Sequence, residues 1–370
     1  MGTLLDVLLV VVGSALVLAV YDSALRTFVL PRGASNPLTR LTFQSLRSVF
    51  NLFARESRTY EARDRVMALY APVGLFGLVL VWLTLVFVGY TLIYYAVIVP
   101  TWHDAIELSG SSLLTLGFEL PPRGLPGYVL VFTEAATGLA ILALLIAYLP
   151  TIYGAFSRRE REVARFATLA GTPPSAVQLV MRYHRIAWLD HLPELWSTWE
   201  EWFAELGETH TSLAVLTFFR SPSAHRSWVT AAGAVLDAAA LANSTLAVPW
   251  SPQAGLCIRS GYLALREIAD YFDVPYDSEP APDAPISIAR EEFDAAYEEL
   301  GSSGVPIRPD RDRCWRDFAG WRVNYDAALV ALARLSMAPR APWSSDRYED
   351  VHFVPPALPW LRRSGTGTRG

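Results

Sequence analysis

The chain has 370 residues, of which 52% are hydrophobic and 18% charged, with a formal net charge of −5 and a mean hydropathy of +0.26. That balance is too apolar for an ordinary soluble domain and too polar for membrane spans alone, so it implies a membrane part joined to a sizeable soluble part. All 31 basic residues are Arg, and the charge is uneven: residues 1–156 are neutral overall, whereas 157–370 carry 22 Arg against 27 acids. An acidic C-terminal part argues against a nucleic-acid-binding domain. Two cysteines, Cys257 and Cys314, make neither a disulfide framework nor a metal spacing, as expected in a reducing compartment.

Three segments meet the length of roughly 20 apolar residues that a bilayer helix needs: Leu4–Val20, Val73–Val99 and Tyr128–Leu149. No Arg precedes the first, so it lacks the basic start of a cleavable signal peptide and reads as a retained helix. The loop over 21–70 holds eight Arg against four acids, Arg158, Arg159, Arg161 and Arg165 follow the third span, and only Arg123 lies between the second and third. The positive-inside rule then places the N-terminus outside, 21–70 inside, 100–127 outside and everything after about Pro150 inside. Tyr90, Tyr94, Tyr95 and Trp102 gather where the second span would meet the outer interface. In the inner loop Leu38, Leu41, Leu46, Val49, Phe50 and Phe53 recur at near-helical spacing around Arg40, Arg47 and Arg55. That pattern predicts a basic amphipathic helix on the cytoplasmic membrane face.

Between the second and third spans lies Asp104-Ala-Ile-Glu-Leu-Ser-Gly-Ser-Ser-Leu-Leu-Thr115-Leu-Gly-Phe-Glu119. Trp102–Leu114 reads as a helix about 20 Å long at 1.5 Å per residue, with Asp104 suited to its positive end. Thr115–Phe118 is expected to climb back in extended form, and Pro121, Pro122 and Pro126 to lead stiffly to the third span. Non-helical backbone is tolerated at membrane depth where it lines a cavity, so this is a re-entrant segment.

Trp102–Phe118 with its two flanking spans, roughly residues 70–160, resembles the pore module of the tetrameric potassium-channel superfamily in its bacterial two-helix (ion-transport 2) form. The family's filter reads Thr-Val-Gly-Tyr-Gly-Asp, and Thr115-Leu116-Gly117-Phe118 stands in matching positions, with Asp104, Ala105 and Ser109 at the upstream spacing. The chain departs from the pattern at Glu119 and Leu120, where the family has its second Gly and Asp. The resemblance implies an all-α membrane protein that acts as a homotetrameric cation channel, not an enzyme. It needs no cofactor beyond the permeant monovalent cation, potassium above all, and sits in the lipid bilayer of a bacterial inner membrane. It implies a selectivity filter of Thr115, Leu116, Gly117, Phe118 and Glu119, with carbonyl oxygens of Thr115, Leu116 and Gly117 replacing hydration water. Four Glu119 carboxylates would ring the entrance and attract cations. The alternative is a non-conducting membrane scaffold or sensor that keeps the channel fold, which Glu119 motivates.

In the third span, Glu134 is an intramembrane carboxylate, and such groups are functional candidates. It is expected to support the filter through Ser111, Ser112 or the filter backbone. Gly138, one turn on, reads either as a gating hinge or as a close-packing position against the short helix. The organisation that follows is a first transmembrane helix over 1–22, a basic amphipathic segment over 23–70 and a pore module over 71–150. A helical cytoplasmic domain over 151–337 follows, then a Pro/Gly-rich tail over 338–370 expected to be extended and then disordered.

Within that domain, helical patterns fall at Arg159–Ala170, Ser175–Trp188, Leu192–Leu206, His225–Ala242, Gln253–Phe272, Ile288–Leu300 and Arg311–Leu335. Trp188, Trp196, Trp199 and Trp202 with Leu192, Leu195 and Phe203 form a stripe that suits a core or a subunit interface better than an aromatic ligand pocket. His184 and His191 lack an acid or Cys to complete a metal site, and Glu200/Glu201 and Glu291/Glu292 read as solvated faces. No phosphate loop, dinucleotide fingerprint or nucleophile–base pair is present. The sequence names no ligand for this domain.

Overall fold

The computed structural model describes residues 3–28, 36–53 and 59–347. No β-strand occurs among them. Helices α1 (Thr3–Phe28), α2 (Pro37–Phe53), α3 (Tyr60–Ala68), α4 (Tyr70–Val97), α5 (Trp102–Leu113) and α6 (Leu125–Ala170) are followed by α7 (Ala176–Arg185), α8 (Leu192–Ser212), α9 (Trp228–Ser244), α10 (Pro252–Tyr271), α11 (Arg290–Ser302), α12 (Arg311–Arg322) and α13 (Asp326–Leu335). Three helical stretches, Leu4–Phe28, Tyr60–Val97 and Leu125–Ala170, are long and apolar enough to cross a membrane. The chain divides into two compact units: residues 1–58 with Val66–Gly154, and Thr59–Arg65 with everything from Ala155 on.

In the first unit α1 and α4 run antiparallel and cross at two glycines. A Cβ on Gly13 would lie 2.5 Å from the Gly89 carbonyl oxygen, and one on Gly89 would lie 2.9 Å from that of Gly13. Small residues at a crossing let backbones approach where lipid supplies no hydrophobic drive for association. Buried hydroxyls complete the contact, since Trp82 Nε1 donates to Ser23 Oγ at 3.1 Å. At the other edge of α4, Tyr90 OH donates to Thr133 Oγ1 of α6 at 3.1 Å.

The amphipathic helix forms as α2, but one of its arginines turns inward. Arg47 is buried, with its guanidinium 5.2 Å from the Tyr70 ring centre. Phe43 lies where Gly74 of α4 has no side chain. The face expected to present Arg47 to lipid headgroups is therefore partly spent on α4, while Leu41, Val49 and Leu52 stay exposed. Arg55 lies outside the described residues, as does the side chain of Phe53.

α6 is longer than the third apolar run from which it was read. It continues through Pro150, which lacks the amide for one helical hydrogen bond, without a break. The second unit forms around α9, every residue of which is buried. An all-round apolar helix of small side chains needs partners on all faces, and α7, α10, α12 and α13 supply them. Each helical pattern of this region is realised, with the last divided into α12 and α13. The division falls where Asn324 Nδ2 donates to the Gly320 and Trp321 carbonyls, at 3.1 and 3.2 Å, in place of the helical amides. The Trp196, Trp199, Trp202 and Phe203 side chains are buried in this core, whereas Trp188 is exposed.

The tail expectation requires correction at its start. Ala338, Ala341, Trp343, Ser344 and Ser345 are buried in the second unit, and Trp343 packs on Phe318 with ring centres 5.5 Å apart. Its carbonyl accepts from Arg322 Nη2 at 2.6 Å, so an arginine in need of acceptors draws the chain back onto the core. Residues 348–370 of the expected tail lie outside the described residues.

Candidate functional site: the α5 helix end and its support

α5 begins with Thr101, whose side chain accepts from the Asp104 amide at 3.2 Å, an ordinary N-cap. Its other end is the unusual one. The Leu116 amide donates to the Ser111 carbonyl at 2.8 Å and the Thr115 amide to that of Ser112 at 3.0 Å. This is the Schellman arrangement, which wants a left-handed residue just past the helix, normally Gly. Here that residue is Thr115, with φ 54°. A β-branched side chain in this conformation is a genuine outlier and costs roughly 1–2 kcal/mol. Gly117 is left-handed as well, with φ 70°. The expected extended climb is thus replaced by a compact turn with left-handed residues at alternate positions, because the free carbonyls of α5 capture the following amides.

Ser111 organises that turn. Its carbonyl also accepts the Gly117 amide at 3.3 Å, and its Oγ accepts the Glu119 amide at 3.0 Å. In a trans peptide the amide N–H and the preceding carbonyl point to opposite sides. With the amides of Thr115, Leu116, Gly117 and Glu119 turned toward α5, the carbonyls of Leu114, Thr115, Leu116 and Phe118 are directed away from it. The Phe118 amide is not part of this set, so the Gly117 carbonyl is not oriented in the same way. Leu114, Leu116, Phe118 and Leu120 are 58–74% exposed, an apolar tip beside those oxygens.

Behind the turn, Glu134 of α6 is fully buried. Tyr94 OH donates to its Oε2 at 2.8 Å, and Ser109 Oγ donates to its Oε1 at 2.5 Å. The carboxyl therefore joins α4, α5 and α6. Its partners differ from those expected: Ser111 and Ser112 are buried but engage the turn through their carbonyls and the Ser111 Oγ, and Ser109, earlier on α5, reaches Glu134 instead. Tyr94, read as an interface aromatic, is a buried ligand of that carboxyl, while Tyr95 stacks on Trp102 at 4.0 Å. The signal for Tyr94 and Ser109 was the acid itself, since a carboxyl in an apolar helix must find donors on its neighbours.

Gly138 sits one turn beyond Glu134 in unbroken helix. A Cβ there would lie 2.4 Å from the Leu113 carbonyl oxygen, so the approach of the α5 end accounts for this glycine without a hinge.

No protein-family model matches the chain, and no curated protein or solved structure is significantly similar to it.

Proposed function

We propose that this chain is one subunit of a homotetrameric, potassium-type cation channel in a bacterial cell membrane. In this reading α4 and α6 are the outer and inner helices, α5 is the pore helix and Thr115–Glu119 is the filter. The N-terminus lies outside, and the second unit lies in the cytoplasm. The observation that carries the proposal is the binding of the Thr115, Leu116, Gly117 and Glu119 amides to Ser111 and Ser112, which turns the Leu114, Thr115, Leu116 and Phe118 carbonyls away from α5. Oxygen dipoles grouped at a helix C-terminus present partial negative charge to a cation that has shed water. Fourfold assembly would also cover the apolar tip that a lone subunit leaves exposed. Ser111 then positions the filter, the Glu134–Ser109–Tyr94 cluster braces its supporting helix, and Glu119 concentrates cations at the mouth.

Purified protein reconstituted in potassium-loaded liposomes tests this. Cation-selective flux is expected, reduced when Glu119→Gln removes the carboxylate. An intact tetramer that passes no current at any voltage or pH overturns it. The second reading, a scaffold that keeps the fold without conducting, is favoured by Thr115, whose left-handed backbone closes this stretch as a helix cap. A silent tetramer with undisturbed melting would support it.

A further inference from the structure

Two arginines, Arg159 buried and Arg220 mostly so, anchor one short stretch of the second unit. Arg159 of α6 donates Nη1 to the Leu216 carbonyl and Nη2 to the Phe219 carbonyl, both at 2.7 Å, and Nε to Glu160 at 2.9 Å. The next residue along the stretch, Arg220, reaches α3. Its Nη1 donates to Asp64 Oδ1 at 2.9 Å, to Tyr60 OH at 3.3 Å and to the Met337 carbonyl at 2.9 Å. Its Nη2 donates to the Ser336 carbonyl at 2.8 Å. The arginine and Asp64 side chains are each 11% exposed. α3 ends one residue before α4 begins, so the stretch 216–220 ties the lead-in of one apolar helix to the continuation of another.

We propose that residues 216–220 form a strap, with Arg159 and Arg220 as positioning residues, that holds α3 and the Arg159 turn of α6 at a fixed separation. The four Cα–Cα steps from 216 to 220 reach about 14 Å at most. The two anchors therefore cannot part without releasing a guanidinium from several acceptors at once, and hydrogen bonds to a charged group are about twice as strong as neutral ones. Under the channel reading, which the strap itself does not require, it makes the outer and inner helices move as a coupled pair. The helical unit then sets the gate through both helices rather than through α6 alone.

The experiment uses the full chain in lipid nanodiscs, with Arg65→Cys and Arg161→Cys carrying spin labels. Both residues are exposed, and the native Cys257 and Cys314 are buried and stay unlabelled. A single narrow distance distribution is expected in the parent. Arg220→Gln should at least double its width, Asp64→Asn should broaden it less, and the double variant should match Arg220→Gln. The remote exposed change Arg313→Gln should leave it unchanged. If Arg220→Gln fails to fold, Asp64→Asn, which keeps the carbonyl bonds of Arg220, carries the test. An unchanged distribution in the folded variants overturns the strap whether or not the protein conducts. Flux separates the two ideas: loss of flux in the parent counts against the channel alone. In a conducting protein, Arg220→Gln should shift open probability while unitary conductance stays constant.

Discussion

Gly138→Ala separates two physical accounts of one glycine. If the residue serves as a bending point, alanine should stabilise the helix by about 1 kcal/mol through its better propensity. If it serves the approach of α5, the new methyl must be accommodated. Its nearest neighbour is the Leu113 carbonyl oxygen at 2.4 Å, and ordinary contact begins at 3.4 Å, so backbone must move by about 1 Å. A carbonyl at a helix end is not a flexible side-chain tip that can swing aside, and the Leu113 Cδ1 at 3.1 Å crowds the same space. Overpacking of this kind costs about 1–3 kcal/mol, which exceeds the propensity gain over most of that range. The expected outcome is a lower melting temperature of the full chain in detergent, with Gly138→Val lower still. Because α5 carries Ser111 on the turn above Leu113, ion ranking should change as well if the protein conducts. A Gly138→Ala protein that melts higher than the parent would refute the packing account and restore the hinge.

Glu134→Ala leaves the Tyr94 and Ser109 hydroxyls without their acceptor in a buried site, although Ser109 Oγ keeps the Phe87 carbonyl at 3.2 Å. The cost should be roughly 1–3 kcal/mol per orphaned group, and Glu134→Gln should recover most of it in the same melting assay. Arg322→Met removes the cation that donates to Asp237 at 2.6 Å and to Asp326 at 2.7 Å. Burial works against the charge on Arg322, but the two carboxylates more than offset it and hold the guanidinium ionised. Leaving them unpaired should cost about 3–5 kcal/mol, whereas Arg313→Met on an exposed face should be nearly neutral by denaturant titration. His210 is buried, and desolvation, then the adjacent Arg159, depress its pKa well below 6.5. The native state therefore keeps the neutral ring, with Nδ1 facing the Leu206 carbonyl at 3.0 Å and Nε2 facing Arg159 Nη1 at 3.1 Å. The unfolded chain takes up a proton as pH falls through that value and the native chain does not. Stability should thus decline below pH 6.5 with a slope approaching about 1.4 kcal/mol per pH unit from this group. His210→Gln should flatten that part of the profile relative to the parent.

Much of this architecture was legible because it rests on patterns local in sequence. The three apolar runs correspond to the three long apolar helices, and each amphipathic repeat after Ser157 to a helix. What escaped was set by pairing across sequence. The reach of α6 through Pro150 could not be read, because a proline signals a break that this helix does not make. The inward turn of Arg47 depends on Tyr70, and the docking of 338–347 depends on Arg322. At the candidate site, Thr115-Leu116-Gly117-Phe118 and Glu134 stood out as residue types. The left-handed backbone of Thr115 could not be read, because a threonine gives no warning of a conformation that glycine normally adopts. Nor could the bond from Asp64 to Arg220, whose two ends lie 156 positions apart.

Asp237 carries a meaning that begins before folding is complete. It stands midway along α9, whose 17 residues include only this one ionisable group. In the finished protein Arg322 and Tyr325 hold it, at 2.6 and 2.9 Å. During synthesis, however, those partners are still some eighty residues from emerging, and the translocation machinery meets a run of Ala, Val and Leu with one acid at its centre. An aspartate there adds about 2.5–3.5 kcal/mol to the free energy of insertion. A single carboxylate thus opposes insertion of this segment, and Asp237→Ala should raise its insertion into microsomal membranes when the chain is translated in their presence.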